Sequence, residues 1–381
     1  MKEMKEKIEP QNDADLLKDL KNSDEYLLEK VPGIIAERKR LGLEGLVGGL
    51  QAVIINTEPE SQHATAEELL RYTGLEFDGA FEDDKFRTCV LKTPDFHEFR
   101  SADFLVRSRI KGENPFYQLN MAPNSRHLSN TRLETFVFET KDIEEYVSIQ
   151  KSQGFEFLTD GIVRMDNYSF IQTVPSKFTG NSLGFIQWTG ERGRYETSGS
   201  RKLDWYMKKP KLDHLQNVRW LDHAATRVKA QDRNQAIIEF MKLTNYNFDL
   251  AIYVKPSNSI TSVARLSPKD FAMVFTSGIS PYVSDELSGP TEKFIHNYGS
   301  RVHHIAFQTE EIEETYSSLV RDEMKFLIEL VGSPEEGLKQ TFTEPSKNTL
   351  QVNEYIHRYG DFDGFFSKSN VTLLTEATGK Q

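Results

Sequence analysis

Short apolar runs bounded by glycine and polar turns recur along this chain, and helical spacing interrupts them at a few places. Leu50-Gln51-Ala52-Val53-Ile54-Ile55 has the character of a strand and follows a Gly- and Leu-rich approach over 42–49. Apolar residues at i, i+3 and i+4 predict amphipathic helices over 64–72, 142–153, 233–243 and 311–322. Near the start, Leu16, Leu17, Leu20 and Leu27 predict a helix over 13–30, with Pro32-Gly33 as its break. A polar, basic stretch over 190–213, punctuated by Gly190, Gly193, Gly199 and Pro210, reads as a linker. Strands outnumber helices, which predicts an α+β arrangement with curved sheets and not a doubly wound parallel sheet.

The pattern repeats. Phe136-Val-Phe-Glu-Thr-Lys-Asp-Ile-Glu-Glu145 returns 169 residues later as Ile305-Ala-Phe-Gln-Thr-Glu-Glu-Ile-Glu-Glu314. Gly154-Phe-Glu-Phe-Leu158 returns at the same offset as Glu323-Met-Lys-Phe-Leu327. Thr73-Gly-Leu-Glu-Phe77 is echoed 171 residues later by Thr244-Asn-Tyr-Asn-Phe248. Echoes in one order at nearly one offset imply a duplicated domain. The expected division is an N-terminal helical extension (1–45), a first domain (46–190), a linker (191–213) and a second domain (214–381).

Composition narrows the chemistry. With 47 Lys+Arg against 58 Asp+Glu, the net charge of −11 argues against nucleic acid or an anionic membrane face as partner. No apolar run approaches the ~20 residues of a membrane span, and the charged start lacks a secretory apolar core. The single cysteine, Cys89, excludes a thiolate zinc site and an iron–sulfur cluster, fits a reducing cytoplasm, and reads as a small buried hydrophobe. Any metal must therefore be held by His and carboxylate.

Six of the nine histidines fall after residue 210. At the repeat offsets, His223 corresponds to Ala52, His304 to Thr135 and Glu354 to Gln187. One copy thus carries two imidazoles and a carboxylate where the other has none. Strand alternation places His303 with Ile305 and Phe307, and His304 with the small, polar set Ala306 and Gln308. His304 is therefore the expected ligand and His303 a packing or supporting residue. Two His and one carboxylate suit non-haem Fe(II) with positions open for substrate and O₂, or catalytic Zn²⁺ with a bound water. His357, Arg358 and Asp361 to Asp363 read as a solvated segment.

Around these residues the sequence resembles the 4-hydroxyphenylpyruvate dioxygenase family of the vicinal oxygen chelate superfamily. The resemblance rests on Leu221-Asp-His, Gly299-Ser-Arg-Val-His-His-Ile-Ala-Phe-Gln-Thr, Gly337-Leu-Lys-Gln-Thr-Phe-Thr-Glu-Pro, Asn353-Glu-Tyr-Ile-His-Arg and Phe366-Ser-Lys-Ser-Asn-Val. It implies two tandem domains of paired βαβββ modules, the second an open barrel around Fe(II) held by His223, His304 and Glu354. The implied substrate is a 2-oxo acid that chelates the iron and is oxidatively decarboxylated and hydroxylated by O₂, with no separate 2-oxoglutarate. In the parent reaction homogentisate is formed, a step of aromatic amino acid catabolism. A cytoplasmic homodimer or tetramer is the implied assembly.

Carried over residue by residue, Ser262, Gln340, Phe342, Phe366 and Asn370 are the implied pocket residues, with Gln340 the only one given a catalytic part beyond the metal ligands. The departures are Val371 for the family's helix Phe, Thr276 for a pocket Asn, Pro290 near a pocket Gln, and a short stretch between Phe326 and Gly337 without the usual tyrosines. They point to a smaller or aliphatic 2-oxo acid, or to hydroxymandelate-synthase-like chemistry, as the alternative. A glyoxalase-type metal lyase or isomerase and a metal-free binding module are the remaining readings.

Overall fold

Two sheets with one plan account for most of the chain. A computed structural model describes residues 20–94, 101–360, 362 and 364–381. The first sheet comprises β1 (Val47–Thr57), β2 (Glu76–Glu82), β3 (Phe86–Lys92), β4 (Asp103–Arg109), β5 (Arg132–Thr140), β6 (Val163–Arg164), β7 (Tyr168–Gln172), β8 (Ser182–Trp188) and β9 (Arg201–Lys202). The second comprises β10 (Val218–Arg227), β11 (Asn247–Val254), β12 (Ser259–Arg265), β13 (Ala272–Ser277), β14 (Arg301–Thr309), β15 (Val331–Ser333), β16 (Leu338–Phe342) and β17 (Val352–Arg358). Their orders are β6-β7-β8-β5-β1-β4-β3-β2-β9 and, read in the matching direction, β15-β16-β17-β14-β10-β13-β12-β11. Apart from β9, the second repeats the first strand for strand.

The helices are α1 (Glu25–Leu41), α2 (Gln62–Tyr72), α3 (Ile143–Ser152), α4 (Arg233–Leu243), α5 (Gly289–Tyr298), α6 (Ile312–Arg321) and α7 (Lys368–Ala377). The four helices expected from periodicity are α2, α3, α4 and α6. Each follows the first strand of a βαβββ module, so the chain is two pairs of such modules.

The N-terminal helix differs from expectation. Residues 13–19 lie outside the described residues, as do Asp361 and Asp363, and α1 runs straight through Pro32 and Gly33. A mid-helix proline costs about 3 kcal/mol, and docking offsets it. Pro32 and Gly33 lie on the exposed side, while Leu27, Ile34 and Arg38 are buried. The Arg38 guanidinium donates to the carbonyls of Met241 (3.2 Å), Thr244 (3.2 Å) and Tyr246 (2.8 Å) and to Asn247 Oδ1 (2.6 Å). It thereby caps the C-terminal end of α4, where free carbonyls favour a cation.

The two halves share a core. Val53, Ile55, Phe136 and Phe138 of the first half meet Ala224, Ile305 and Phe307 of the second in one buried cluster that also holds Cys89. Ring contacts cross the seam: Phe138 with Phe240 (5.9 Å) and Tyr246 (5.3 Å), and Phe104 with Phe307 (5.9 Å). Burial pushes the Cys89 thiol up to about 12, consistent with an inert, apolar role.

The opposite faces diverge. In the first half this face is filled by Ala52, Ile54, Phe81, Leu105, Val137, Tyr168 and Ile186 with Phe170 and Trp188 against them. The expected linker adds to this filling. Its β9 extends the sheet edge at β2, and Tyr195 enters the apolar cluster and donates to Asp103 Oδ2 at 2.7 Å.

Two tests follow. A Cβ on Gly74 would lie 2.0 Å from the Val218 carbonyl, whereas one on Gly33 meets nothing within 4 Å. Gly74→Ala is expected to destabilise by about 1–3 kcal/mol in urea unfolding, and Gly33→Ala to stabilise by about 0.5–1 kcal/mol. Buried Glu292 on α5 accepts the amides of Gly278 and Ala230 (both 2.9 Å), and burial raises its carboxyl from 4.5 to about 7. The folded state thus holds a proton that the unfolded chain has lost between these values. Stability from this group falls as pH rises through that window. Glu292→Gln should flatten the pH dependence of Tm there; an unchanged slope would refute the assignment.

Candidate metal centre

β10, β14 and β17 lie side by side at the middle of the second sheet. Register places His223 opposite Ala306, and Ala306 beside Glu354. His223, His304 and Glu354 are all buried, and one ligand atom from each lies within 4.8 Å of the others. Among the described residues this is the one such His/Cys/Asp/Glu group. Glu354 Oε2 is 3.0 Å from His223 Nε2 and 3.3 Å from His304 Nε2.

Each group is fixed from behind. His223 Nδ1 meets Asp222 Oδ1 at 2.7 Å, and Arg358 clamps Asp222 through both guanidinium ends. Although burial opposes ionisation, Arg358 and His223 hold the Asp222 carboxyl well below the usual carboxylate range. His304 Nδ1 lies 2.8 Å from His303 Nδ1, and His303 Nε2 lies 2.8 Å from Gln381 Oε1. This chain is satisfied when His304 donates to His303 and His303 donates to Gln381, which leaves the lone pair of His304 Nε2 free. Gln340 Nε2 donates to Glu354 Oε1 at 2.6 Å, and Asn370 Nδ2 donates to Gln340 Oε1 at 3.1 Å. Both imidazoles thus present Nε2, and Glu354 presents Oε2.

The donor set fits a divalent cation. Burial and the neighbouring His303, His223 and Arg227 hold His304 well below its ordinary value, so it is a neutral imidazole, the form that ligates. Burial also opposes charge on His223, but Glu354 and Asp222 outweigh it and lift the ring to about 9. A buried carboxylate needs a positive neighbour, and here the His223 proton fills the place a metal ion would take.

The first half shows what the site would be without these groups. Ala52 and Thr135 stand at the registers of His223 and His304. Val137 pairs with Gly184 where Ala306 pairs with Glu354, so the counterpart of Glu354 is Gly184 and not Gln187. Gln187 lies three residues further on and binds the start of α3 through Ile143 N (3.1 Å) and Lys141 O (2.9 Å). A Cβ on Gly184 would lie 2.8 Å from the Phe170 ring, and Phe170 occupies the register of Gln340.

Simple alternation misplaced His303. Ala225 pairs with His304 but Thr226 with Val302, so His303 is the extra residue of a β-bulge. The bulge sends Val302 and Ile305 to the shared core and both His303 and His304 to the cavity.

The cavity beside the triad is tight, with about 40 Å³ open to water, room for a few water molecules. Gln340, Phe342, Phe366, Val371 and Thr276 line it, as expected, and the Phe342 ring lies 4.7 Å from that of His304. Asn370 sits behind Gln340 and supports it. Ser262 faces the other way: its neighbours Ser259 and Thr261 line the cavity, while its own hydroxyl accepts from Arg233 Nε at 3.0 Å. Larger openings lie elsewhere, including one of about 510 Å³ at the seam lined by Phe155, Lys177, Phe178 and Phe240, but they border no metal-ligating group. The chemistry therefore places the site at the smaller cavity.

Sequence reading passed over Asp222, Arg227 and Arg358. Asp222 stands beside the first ligand, and Arg358 is a half-buried clamp, not part of a solvated segment. Arg227 lies four residues beyond His223, on the same face of the strand; period two would have found it.

No protein-family model and no curated protein sequence matches the chain. Solved structures do. A triple-substituted 4-hydroxymandelate synthase from Streptomyces coelicolor superposes with a TM-score of 0.64 at 14% identity, covering 88% of this chain and 98% of that one. A xylose isomerase-like TIM barrel/4-hydroxyphenylpyruvate dioxygenase fusion protein superposes with a TM-score of 0.59 at 12% identity, covering 90% of this chain and 56% of the fusion. No described helix is long and apolar enough to cross a membrane. By strand order, module pairing and superposition, the chain has the tandem fold of paired βαβββ modules seen in these two structures.

Proposed function

We propose that this protein is an Fe(II)-dependent dioxygenase that oxidatively decarboxylates a 2-oxo acid and hydroxylates the same molecule. The first candidate substrate is an aryl-pyruvate of the 4-hydroxyphenylpyruvate type, giving a homogentisate-type product. The observation that carries this reading is the asymmetry of the duplication: His223, His304 and Glu354 converge in one half, at registers where the other has Ala52, Thr135 and Gly184. The dioxygenase and synthase names of the two structural neighbours agree with it.

Iron, when bound, would supply open positions for a chelating 2-oxo acid and O₂ and a redox centre through which the 2-oxo acid gives its electrons to O₂. One oxygen atom of O₂ ends in the new carboxylate and the other in the hydroxyl, with CO₂ released. The protein's part is positioning and dryness. Asp222 and His303 set the two rings, and Gln340 turns Glu354. Phe342, Phe366 and α7 shut the cavity against water. A second reading, the same chemistry on a smaller 2-oxo acid, is favoured by the tight cavity and by Val371 on its wall.

Metal analysis and an oxygen electrode with a 2-oxo acid panel test the reading. The wild type should hold about one iron per chain when loaded anaerobically. His304→Ala and Glu354→Ala should lose both iron and O₂ uptake; full iron retention in both would sink the ligand assignment. Asp222→Asn should weaken iron binding about 10- to 100-fold.

A further inference from the structure

Arg227 closes β10 at the end of the cavity away from His223, roughly 13 Å along the strand at ~3.3 Å per residue. It is only 4% exposed. Among the described residues, three of the other four buried arginines are well satisfied or ion-paired; the fourth, Arg301, donates to Thr131 O at 2.8 Å, has an unpartnered Nη1 and lies outside the cavity of the triad. Arg38 and Arg132 each meet four acceptors, and Arg233 pairs with Asp24 at 2.5 Å. Arg227 has one long hydrogen bond, from Nη1 to Pro290 O at 3.4 Å, and its guanidinium carbon lies 4.5 Å from the centre of the Phe294 ring. Among the described residues no carboxylate pairs with it. Glu292, two residues from Pro290, spends its carboxyl on the amides of Gly278 and Ala230.

The surroundings are hydroxyl-rich: Ser259, Thr261, Thr276 and Thr291 line the same cavity, and buried Thr276 Oγ1 has no partner. At the matching register of the first half stands Asn56, whose amide donates to Asn130 O at 2.9 Å. The first half carries its guanidinium one strand over: Arg107 stands at the register of Thr276 and lies 5.3 Å from the centre of the Phe86 ring. An uncompensated buried guanidinium is costly, and its planar fork matches a carboxylate.

We propose that Arg227, with Thr276 beside it, binds a second anionic group of the substrate, so that the substrate class is a compact 2-oxo dicarboxylate. The 2-oxo acid end of this assignment rests on the second reading above, a smaller 2-oxo acid in place of the aryl-pyruvate; the Arg227 end stands on its own contacts. The stacked Phe294 and the Pro290 carbonyl hold the guanidinium plane, and the distal carboxylate supplies the charge the cavity lacks. The tight space selects a short spacer between the two ends.

Calorimetry on metal-free protein tests this with glutarate against pentanoate, which lacks the second carboxylate. Glutarate should bind more tightly, and Arg227→Met should weaken it about 10- to 100-fold, the usual effect of losing a charge-assisted contact. Arg227→Lys should weaken it less. With iron loaded, O₂ uptake should favour 2-oxoglutarate or 2-oxoadipate over 2-oxohexanoate and 4-hydroxyphenylpyruvate. Iron content should be the same in wild type and Arg227→Met, and the Tm of the variant equal or higher. Equal glutarate affinity in wild type and both variants overturns the proposal, as does a fall in Tm without any ligand effect, which marks a structural arginine. Arg227-dependent glutarate binding in a protein that takes up no iron would instead overturn the dioxygenase reading and leave this one standing.

Discussion

A carboxylate buried between two imidazoles organises the second half of this molecule. Glu354 cannot sit in a dry sheet interior without a positive charge beside it, and every neighbour is placed to manage that fact. Gln340 occupies one of its oxygens and leaves the other facing His223 and His304. Asp222, itself held by Arg358, fixes which nitrogen of His223 points inward. His303 does the same for His304. The two rings differ in protonation because one has carboxylates on both sides and the other has cations nearby. The centre is thus a small electrostatic circuit whose donor set fits a divalent cation.

The other half shows how little the fold asks of those positions. The same strands, in the same order, accept alanine, threonine and glycine there, and aromatic rings fill the space. Scaffold and chemistry separate cleanly because the alternation of a strand gives each sheet two independent faces. One face of each half is committed to the shared core. The other is free to become either a second apolar core or a polar cavity.

Most of the architecture was legible in the sequence for the same reason. The repeat and the four module helices follow from periodicity, and the trio His223, His304 and Glu354 that the fold brings together follows from comparing the copies. The failures have local causes. One inserted residue at His303 reversed its face, because alternation carries no warning of a bulge. A three-residue slip assigned Gln187 in place of Gly184, because a glycine in a strand leaves little pattern to align. Pro32 did not stop α1, because Arg38 anchors that helix to a helix end that only the fold brings near. Ser262 matched a motif but sits on the wrong side of its strand. Arg358 escaped because it borders polar residues that read as a solvated segment, and Arg227 because no partner residue in the sequence marks its burial.

The core shared by the two halves also bears on how the chain reaches this state. Phe138 meets Phe240 and Tyr246 across the seam, so the decisive contacts join distant parts of the sequence and form only after large loops have closed. Either half alone would present an apolar sheet face to water, a template for aggregation. The shared core therefore couples the folding of the two halves. The copy that lacks the trio cannot be discarded, because the other has no other surface on which to bury its back.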